Sequence, residues 1–284
     1  MALDTSRIRK PAKKLRKLLK KMPSDPTPEQ VHSLRTNARK IEAMLEATHT
    51  RNGERLLHDL SRVGKCAGRV RDMDVLSADL MTVKAGPQEK DCAVQLIEHL
   101  GAKRRKHASR LRSTANRHLH RMRKNLKQTS KKFSNARLGP EDARADASSA
   151  ALKLVSELSD AAQLTKSNLH EYRKKVKELR NLLRLSASDS EEEFVSRLGE
   201  VKDAIGDWHD WQELVVIGTK VLKHENCRLV KRLQLTADSR FDDALRITQR
   251  LREKYLGKRS GNAGHGRKSE PSGEVLSATA ALAA

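Results

Sequence analysis

The stretch Val31–Leu45, VHSLRTNARKIEAML, decides the fold, because it returns 138 residues later as Leu169–Leu183, LHEYRKKVKELRNLL. In the first copy Val31, Leu34, Ala38, Ile41 and Leu45 fall on one side of a helix. Leu169, Tyr172, Val176, Leu179 and Leu183 do the same in the second. Apolar residues at i, i+3, i+7, i+10 and i+14 predict an amphipathic helix with a buried stripe. One position round lies a second stripe, His32, Arg35 and Arg39 in one copy and His170, Arg173, Lys177 and Arg180 in the other, flanked by Lys40 and Lys174. Residues at that spacing share a face, so each copy sets a histidine and several cations beside its core stripe.

The recurrence reaches beyond this helix. Forty residues after each histidine stands an aspartate, Asp72 after His32 and Asp210 after His170, and four residues before each aspartate a glycine, Gly68 and Gly206. At the same offset Leu56 answers to Phe194, Leu60 to Leu198, Val63 to Val201, Val70 to Trp208, Met73 to Trp211 and Leu76 to Leu214. A register kept without a gap over such a length is the mark of a duplicated unit.

Composition narrows the class. Only 2% of the 284 residues are aromatic, so a core must come from Leu, Val, Ile, Ala and Met, which favours helices over sheets. The net charge is +23, far beyond what solubility asks for, and points to a polyanionic partner. Its distribution is uneven: residues 1–140 hold 34 Lys and Arg against 13 Asp and Glu, a balance of +21, and the rest hold 25 against 23, a balance of +2. Cys66, Cys92 and Cys227 lack any C-x-x-C spacing, so neither a disulfide framework nor a thiolate metal site is expected, and a reducing compartment fits. No apolar run approaches the ~20 residues of a membrane span, and no apolar core follows the N-terminal charges, so the chain reads as cytoplasmic.

Taken in order, residues 5–22 place Ile8, Leu15, Leu18, Leu19 and Met22 on one side and nine Lys and Arg on the others. This is read as the first bundle helix; a membrane-surface helix is the competing reading. Thr27-Pro28-Glu29-Gln30 supplies an N-cap, Pro at the first helical position and a capping-box Gln for the His32 helix. A third helix is expected over 54–83, where Gly64 and Gly68 suggest close approach of another backbone. A fourth is expected over 88–132. Along it Lys103, Arg110, Arg117 and Lys124 stand one heptad apart, with His107 and Arg121 interleaved, a ladder of positive charge echoed only in part by Arg240, Arg246, Arg250 and Lys254. Gly139-Pro140 marks a linker. Beyond it the plan repeats, with helices near 143–162, from His170 to 186, over 190–220 and up to 256. The expectation is therefore all-α: eight helices as two four-helix bundles, 5–135 and 141–256, and a disordered Gly-, Ser- and Ala-rich tail over 257–284.

The H-x-L-R pattern with further cations at helical spacing, and the segment containing Gly68, Arg71, Asp72 and Asp74, resemble the CHAD family, conserved histidine alpha-helical domains. The second half matches through His170, Arg173, Lys174, Lys177, Arg180, Gly206 and Asp210. Glu42, where the first copy of the family usually has a further Arg, and Gln212, in place of the second Asp, depart from it. The resemblance spans about residues 5–256. It implies two four-helix bundles related by a pseudo-two-fold axis, and binding of inorganic polyphosphate in a basic groove or pore lined by both histidine helices. On that reading His32, Arg35, Arg39, Lys40, Lys103, Arg110, Arg117, Lys124, His170, Arg173, Lys174, Lys177 and Arg180 bind the ligand, and Asp72 and Asp210 orient Arg35 and Arg173.

The residue chemistry agrees. Arg offers a planar fork to phosphate oxygens and Lys a mobile charge. A metal held between the two histidines would sit among repelling cations, with no carboxylate or thiolate at ligand spacing on either helix. Neither a glycine-rich phosphate loop nor a paired-carboxylate helix motif speaks for catalysis, so no enzyme, metal or cofactor is expected. RNA or another nucleic acid is the rival ligand, disfavoured by the shortage of aromatics for base stacking. The partners expected are polyphosphate, polyphosphate granules and polyphosphate-metabolising enzymes.

Overall fold

A computed structural model describes residues 6–46, 53–135, 141–186, 192–222, 227–257 and 271–280. Among them the chain forms α1 (Ser6–Lys20), α2 (Pro28–Glu46), α3 (Gly53–Thr82), a 3-10 turn (Pro87–Glu89) and α4 (Lys90–Asn135). Then follow α5 (Glu141–Ser159), α6 (Leu169–Ser186), α7 (Glu192–Leu222), α8 (Arg228–Tyr255) and α9 (Gly273–Ala280), with no strand among the described residues. The all-α expectation holds. Starts recur at the sequence offset, α4 at Lys90 and α8 at Arg228, which is compatible with a duplicated unit.

Local chemistry sets the boundaries. At α2 the anticipated capping box is present: the Gln30 amide donates to Thr27 Oγ1 at 3.3 Å, and the Thr27 amide donates to Gln30 Oε1 at 3.0 Å. At α6 the Thr165 amide donates to Asn168 Oδ1 at 2.8 Å. Gly257, at φ 71°, takes the left-handed conformation just beyond α8 that stops a helix and that a side chain would strain. The expected turn before α3, the break after α6 and the Ser190 cap of α7 lie outside the described residues.

Two compact units emerge. One comprises residues 2–138 with 218–229; the other comprises 139–217 with 230–284. The expected linker at Gly139-Pro140 lies outside the described residues, and residues 218–229 group with the first unit. Local contacts explain this: Cys227 Sγ lies 3.4 Å from Cys92 Sγ, and the Arg228 guanidinium donates to the Gln88 side chain.

The first core joins Leu15 and Leu19 of α1, the anticipated α2 stripe, Leu56, Leu60, Val63 and Val70 of α3, and Leu111, Ala115, Met122 and Leu126 of α4. The second joins the α6 stripe to Phe194, Leu198, Val201 and Trp208 of α7 and to Leu251 and Tyr255 of α8. Val275 of α9 belongs to it too, which corrects the reading of residues 257–284 as a disordered tail. Small residues concealed the signal: Val275 and Thr279 are one turn apart and both buried, and Ser148 Oγ of α5 donates to the Thr279 carbonyl at 2.6 Å. The flanking residues 258–270 and 281–284 lie outside the described residues.

Polar clamps tie the first unit together. Arg104 of α4 donates Nε to Asp74 Oδ1 at 2.6 Å and Nη2 to the Pro26 carbonyl at 2.6 Å, and its Nη1 bonds Asp25. Asp59 of α3, fully buried, accepts Nε and Nη2 of Arg121 at 2.7 and 2.5 Å, and His118 Nδ1 lies 3.1 Å away. Burial alone would push the Asp59 carboxyl up; the Arg121 hydrogen bonds and the charges of Arg121, His118 and His58 outweigh it and hold it below its ordinary value.

A carboxyl lowered by folding contributes stability that is complete above its unfolded value, ~3.9, and lost as pH falls through the folded one. Asp59→Asn should therefore cost about 2–3 kcal/mol at pH 7 and less near pH 2, closer to the lowered folded value of the native carboxyl. Denaturant unfolding of both proteins at the two pH values checks this. Equal losses at both would show that the charge contributes nothing.

Candidate functional site

In the first unit the anticipated stripe stands at the surface of α2. His32, Arg39 and Lys40 are exposed, His32 Nε2 lies 3.5 Å from Thr36 Oγ1, and Arg35 Nη1 lies 3.7 Å from Asp72 Oδ1, the pairing the spacing anticipates. On α4 the ladder faces solvent: Arg110, Arg117 and Lys124 are exposed, Lys103 is half-buried, and none of the four is in an ion pair among the described residues. Arg121 does not join the ladder, because Asp59 holds it.

Two histidines register the resulting field. Burial first, then Arg69, Arg110, Lys103 and Lys106, push His107 below its ordinary value, and burial, Lys103 and Lys220 do the same to His99. The involvement of Arg69 draws attention to α3, which packs against both α2 and α4. Its Arg62, Lys65 and Arg69 are exposed at i, i+3 and i+7, with Asp72 at i+10. This stripe was not singled out from the sequence, although its spacing was there to be read.

The offset that aligns the halves carries these positions to Glu200, Asp203, Asp207 and Asp210 of α7, all exposed or half-exposed. The outer face of the third helix is therefore basic in one unit and acidic in the other. Cations of the second unit are matched accordingly: Arg240 Nε lies 3.2 Å from Asp207, Lys254 Nζ 2.8 Å from Glu193, Lys174 Nζ 2.7 Å from Glu171, and Arg246 bonds Asp243.

Two arginines of α6 behave differently. Arg173 Nε donates to the Lys202 carbonyl at 3.1 Å and Arg180 Nε to the Val195 carbonyl at 3.3 Å, so each guanidinium lies across the α7 backbone. The space comes from glycine. A Cβ on Gly206 would stand 2.5 Å from Arg173 Nη2, and one on Gly199 would stand 3.1 Å from Arg180 Nε and Nη2. Arg173 is thus held by main chain, not by Asp210, which neighbours His209: His209 Nδ1 lies 3.7 Å from Asp210 Oδ1. The rings of His170 and His209 are 4.8 Å apart. Hydrogen bonding to Asp210 raises His209, whereas burial, then His209, Arg173 and Lys174, lower His170, so His209 takes up a proton more readily than His170. Lys177 is exposed on the same helix.

The glycines expected to admit another backbone do not. The nearest atom to a Cβ on Gly64 is Glu42 Oε1 at 3.8 Å, and around Gly68 nothing lies within 4 Å. Glycine serves close approach only in α7, and the approaching group is an arginine side chain.

Among the described residues no group of three or more His, Cys, Asp or Glu could hold a metal ion, and no helix is long and apolar enough to cross a membrane. Residues 6–215 match the CHAD domain. The chain belongs to the CHAD domain family. Its fold is similar to the crystal structure of the CHAD domain from the plant Ricinus communis, at 14% identity and TM-score 0.63 over 89% of this chain and 92% of that one. It is equally similar to PptA from Streptomyces chartreusis, at 17% identity and TM-score 0.62 over 89% of this chain and 99% of that one. No curated protein matches the sequence.

The glycine slots generate a paired expectation. Gly68→Ala should stabilise the CHAD domain by about 0.5–1 kcal/mol through helix propensity alone. Gly206→Ala should gain less, or lose, because Arg173 must leave the Lys202 carbonyl. Denaturant midpoints measure both, and equal stabilisation would mean that no slot holds Arg173.

Proposed function

We propose that the protein binds linear inorganic polyphosphate without modifying it, chiefly through the α3–α4 face of its first unit, and in the cell associates with polyphosphate granules or polyphosphate-handling enzymes in the cytoplasm. The observation that carries this reading is the exposed row Arg110, Arg117 and Lys124, in no ion pair among the described residues and flanked by Arg62, Lys65 and Arg69. Successive members of the row are about 10.5 Å apart along the helix. A row of cations at regular intervals suits a flexible polyanion with a repeating charge. His32, Arg35, Arg39 and Lys40 add a second row on α2. In the second unit His170, Arg173, Lys174, Lys177 and Arg180 supply local contacts; Arg180 is half-buried and bonded to the Val195 carbonyl, with Asp203 acting on it only through its charge.

Nucleic acid would be attracted by the same charge. Among the described residues a stacking surface is scarce: Trp208, Trp211, Tyr172, Tyr255 and Phe194 are buried, and Phe241 is half-buried with Lys166 over its ring. Titration with long polyphosphate, a short oligomer and RNA of matched charge tests the reading. Long polyphosphate should bind most tightly; RNA binding as tightly per charge would replace polyphosphate with any polyanion.

The inverted α3 and α7 faces divide the labour between the units. Neutralising Arg110, Arg117 and Lys124 together should slow association and flatten its salt dependence, whereas Arg173→Ala and Lys177→Ala should mainly speed dissociation. Stopped-flow traces at two salt concentrations separate these, and identical effects on one rate constant would sink the division.

Binding should also tighten as pH falls. His107 is depressed by burial and then by the cations around it in the free protein, and a polyanion seated there offsets the cations and raises it. Affinity then increases as pH drops through the complex's raised value and levels off below the free protein's depressed one. Isothermal titration in buffers of different ionisation enthalpy should show proton uptake near pH 6; none in the wild type, or the same uptake in His107→Gln, would place the ligand elsewhere.

A further inference from the structure

Cys92 and Cys227 are 135 residues apart in sequence, and their sulfurs are 3.4 Å apart in the structure, in hydrogen-bond contact. Cys227 immediately precedes α8 and is buried; Cys92 stands in the first turn of α4 and is partly accessible. Next to them the Arg228 guanidinium bonds the Gln88 side chain, so the start of α8 and the start of α4 are matched at two adjacent points. Cys66 is committed elsewhere, its Sγ 3.6 Å from Thr114 Oγ1. The absence of sequence spacing had hidden a pair that folding brings together.

We propose that Cys92 and Cys227 form a dithiol–disulfide site, cross-linked by small-molecule disulfides, that fastens the start of α8 to the first turn of α4. A disulfide requires the sulfurs to approach by about 1.4 Å, within reach of side-chain rotation. The Cys92 thiolate, the accessible one, attacks a sulfur of the small disulfide, breaks its S–S bond and expels one thiolate. That thiolate takes up the proton Cys92 lost. Cys227 then gives its proton to solvent, and its sulfur attacks Cys92 Sγ, displacing the second small thiolate, which is protonated in turn. The protein pair loses two electrons and the small disulfide gains them, leaving one Cys92–Cys227 bond and two small thiols. The hydrogen bond to Cys227, burial, and the negative charges of Asp91 and Glu89 push the Cys92 thiol up. Thiolate is therefore scarce at neutral pH, and the rate climbs with pH until that raised value is passed.

The full-length chain is incubated with oxidised glutathione at pH 7 and pH 8.5, free thiols are alkylated, and peptides are mapped without reduction. The expected result is a Cys92–Cys227 linked peptide with Cys66 alkylated, forming roughly tenfold or more faster at the higher pH. The thermal midpoint should rise by about 5–10 °C on oxidation and return on reduction. Cys227→Ser, with its fold verified by circular dichroism, should show no such rise, and Cys92→Ser should behave alike. Glutathione remaining on Cys92, a cross-link that includes Cys66, full alkylation of all three cysteines, or a link that leaves the midpoint unchanged would each overturn the proposal.

Discussion

Self-repulsion is the constraint on which the architecture turns. A half-chain with a balance of +21 must still bring α1, α2, α3 and α4 together, and like charges oppose that compaction. Four of its carboxylates are placed where they join helices. Asp59 links α3 to Arg121 and His118 of α4, Asp74 and Asp25 meet on Arg104, and Asp72 reaches Arg35 of α2. Every one of these acids anchors a cation at a helix junction. None is left to neutralise Arg110, Arg117 or Lys124, which therefore keep their full field on the outside.

The second unit solves a different problem with the same plan. Acidic residues line the outer face of α7, and many of its unit's cations, Lys174, Arg240 and Lys254 among them, are ion-paired, so the unit is nearly neutral. Arg173 and Arg180, like Arg252 of α8, are held by carbonyls instead. A main-chain carbonyl fixes the direction of a guanidinium without cancelling its charge, which a carboxylate would do. Glycine at positions 199 and 206 makes this possible, at a helix-propensity cost of about 1 kcal/mol each relative to alanine.

Much of this was legible in the sequence. The α2 and α6 stripes, the capping box at Thr27 and the α4 ladder all follow from periods and punctuation that act within a few residues. What stayed hidden depends on partners far apart in the chain. Cys92 meets Cys227 across 135 positions, and α9 is held by Ser148 of α5, neither of which a local window can register. The glycines show the limit most sharply: Gly64 and Gly68 have the spacing associated with close backbone approach, yet the close approach occurs at Gly206, whose visitor is a side chain from another helix.

The contrast between the outer faces of α3 and α7 also bears on how charge is divided between the two units. If both units presented the stripe of Arg62, Lys65 and Arg69, charge would mount in both halves and repulsion would oppose the compact state further. Placing Glu200, Asp203, Asp207 and Asp210 at the corresponding positions removes that repulsion while sparing the α6 arginines, because their orientation rests on carbonyls and not on the acids nearby. One unit can then supply long-range attraction, whose strength depends on net charge, and the other short-range geometry, whose strength depends on fixed guanidinium planes. Long-range attraction governs the encounter and short-range contacts the lifetime of a complex, so the two demands can be met by separate halves without either compromising the other.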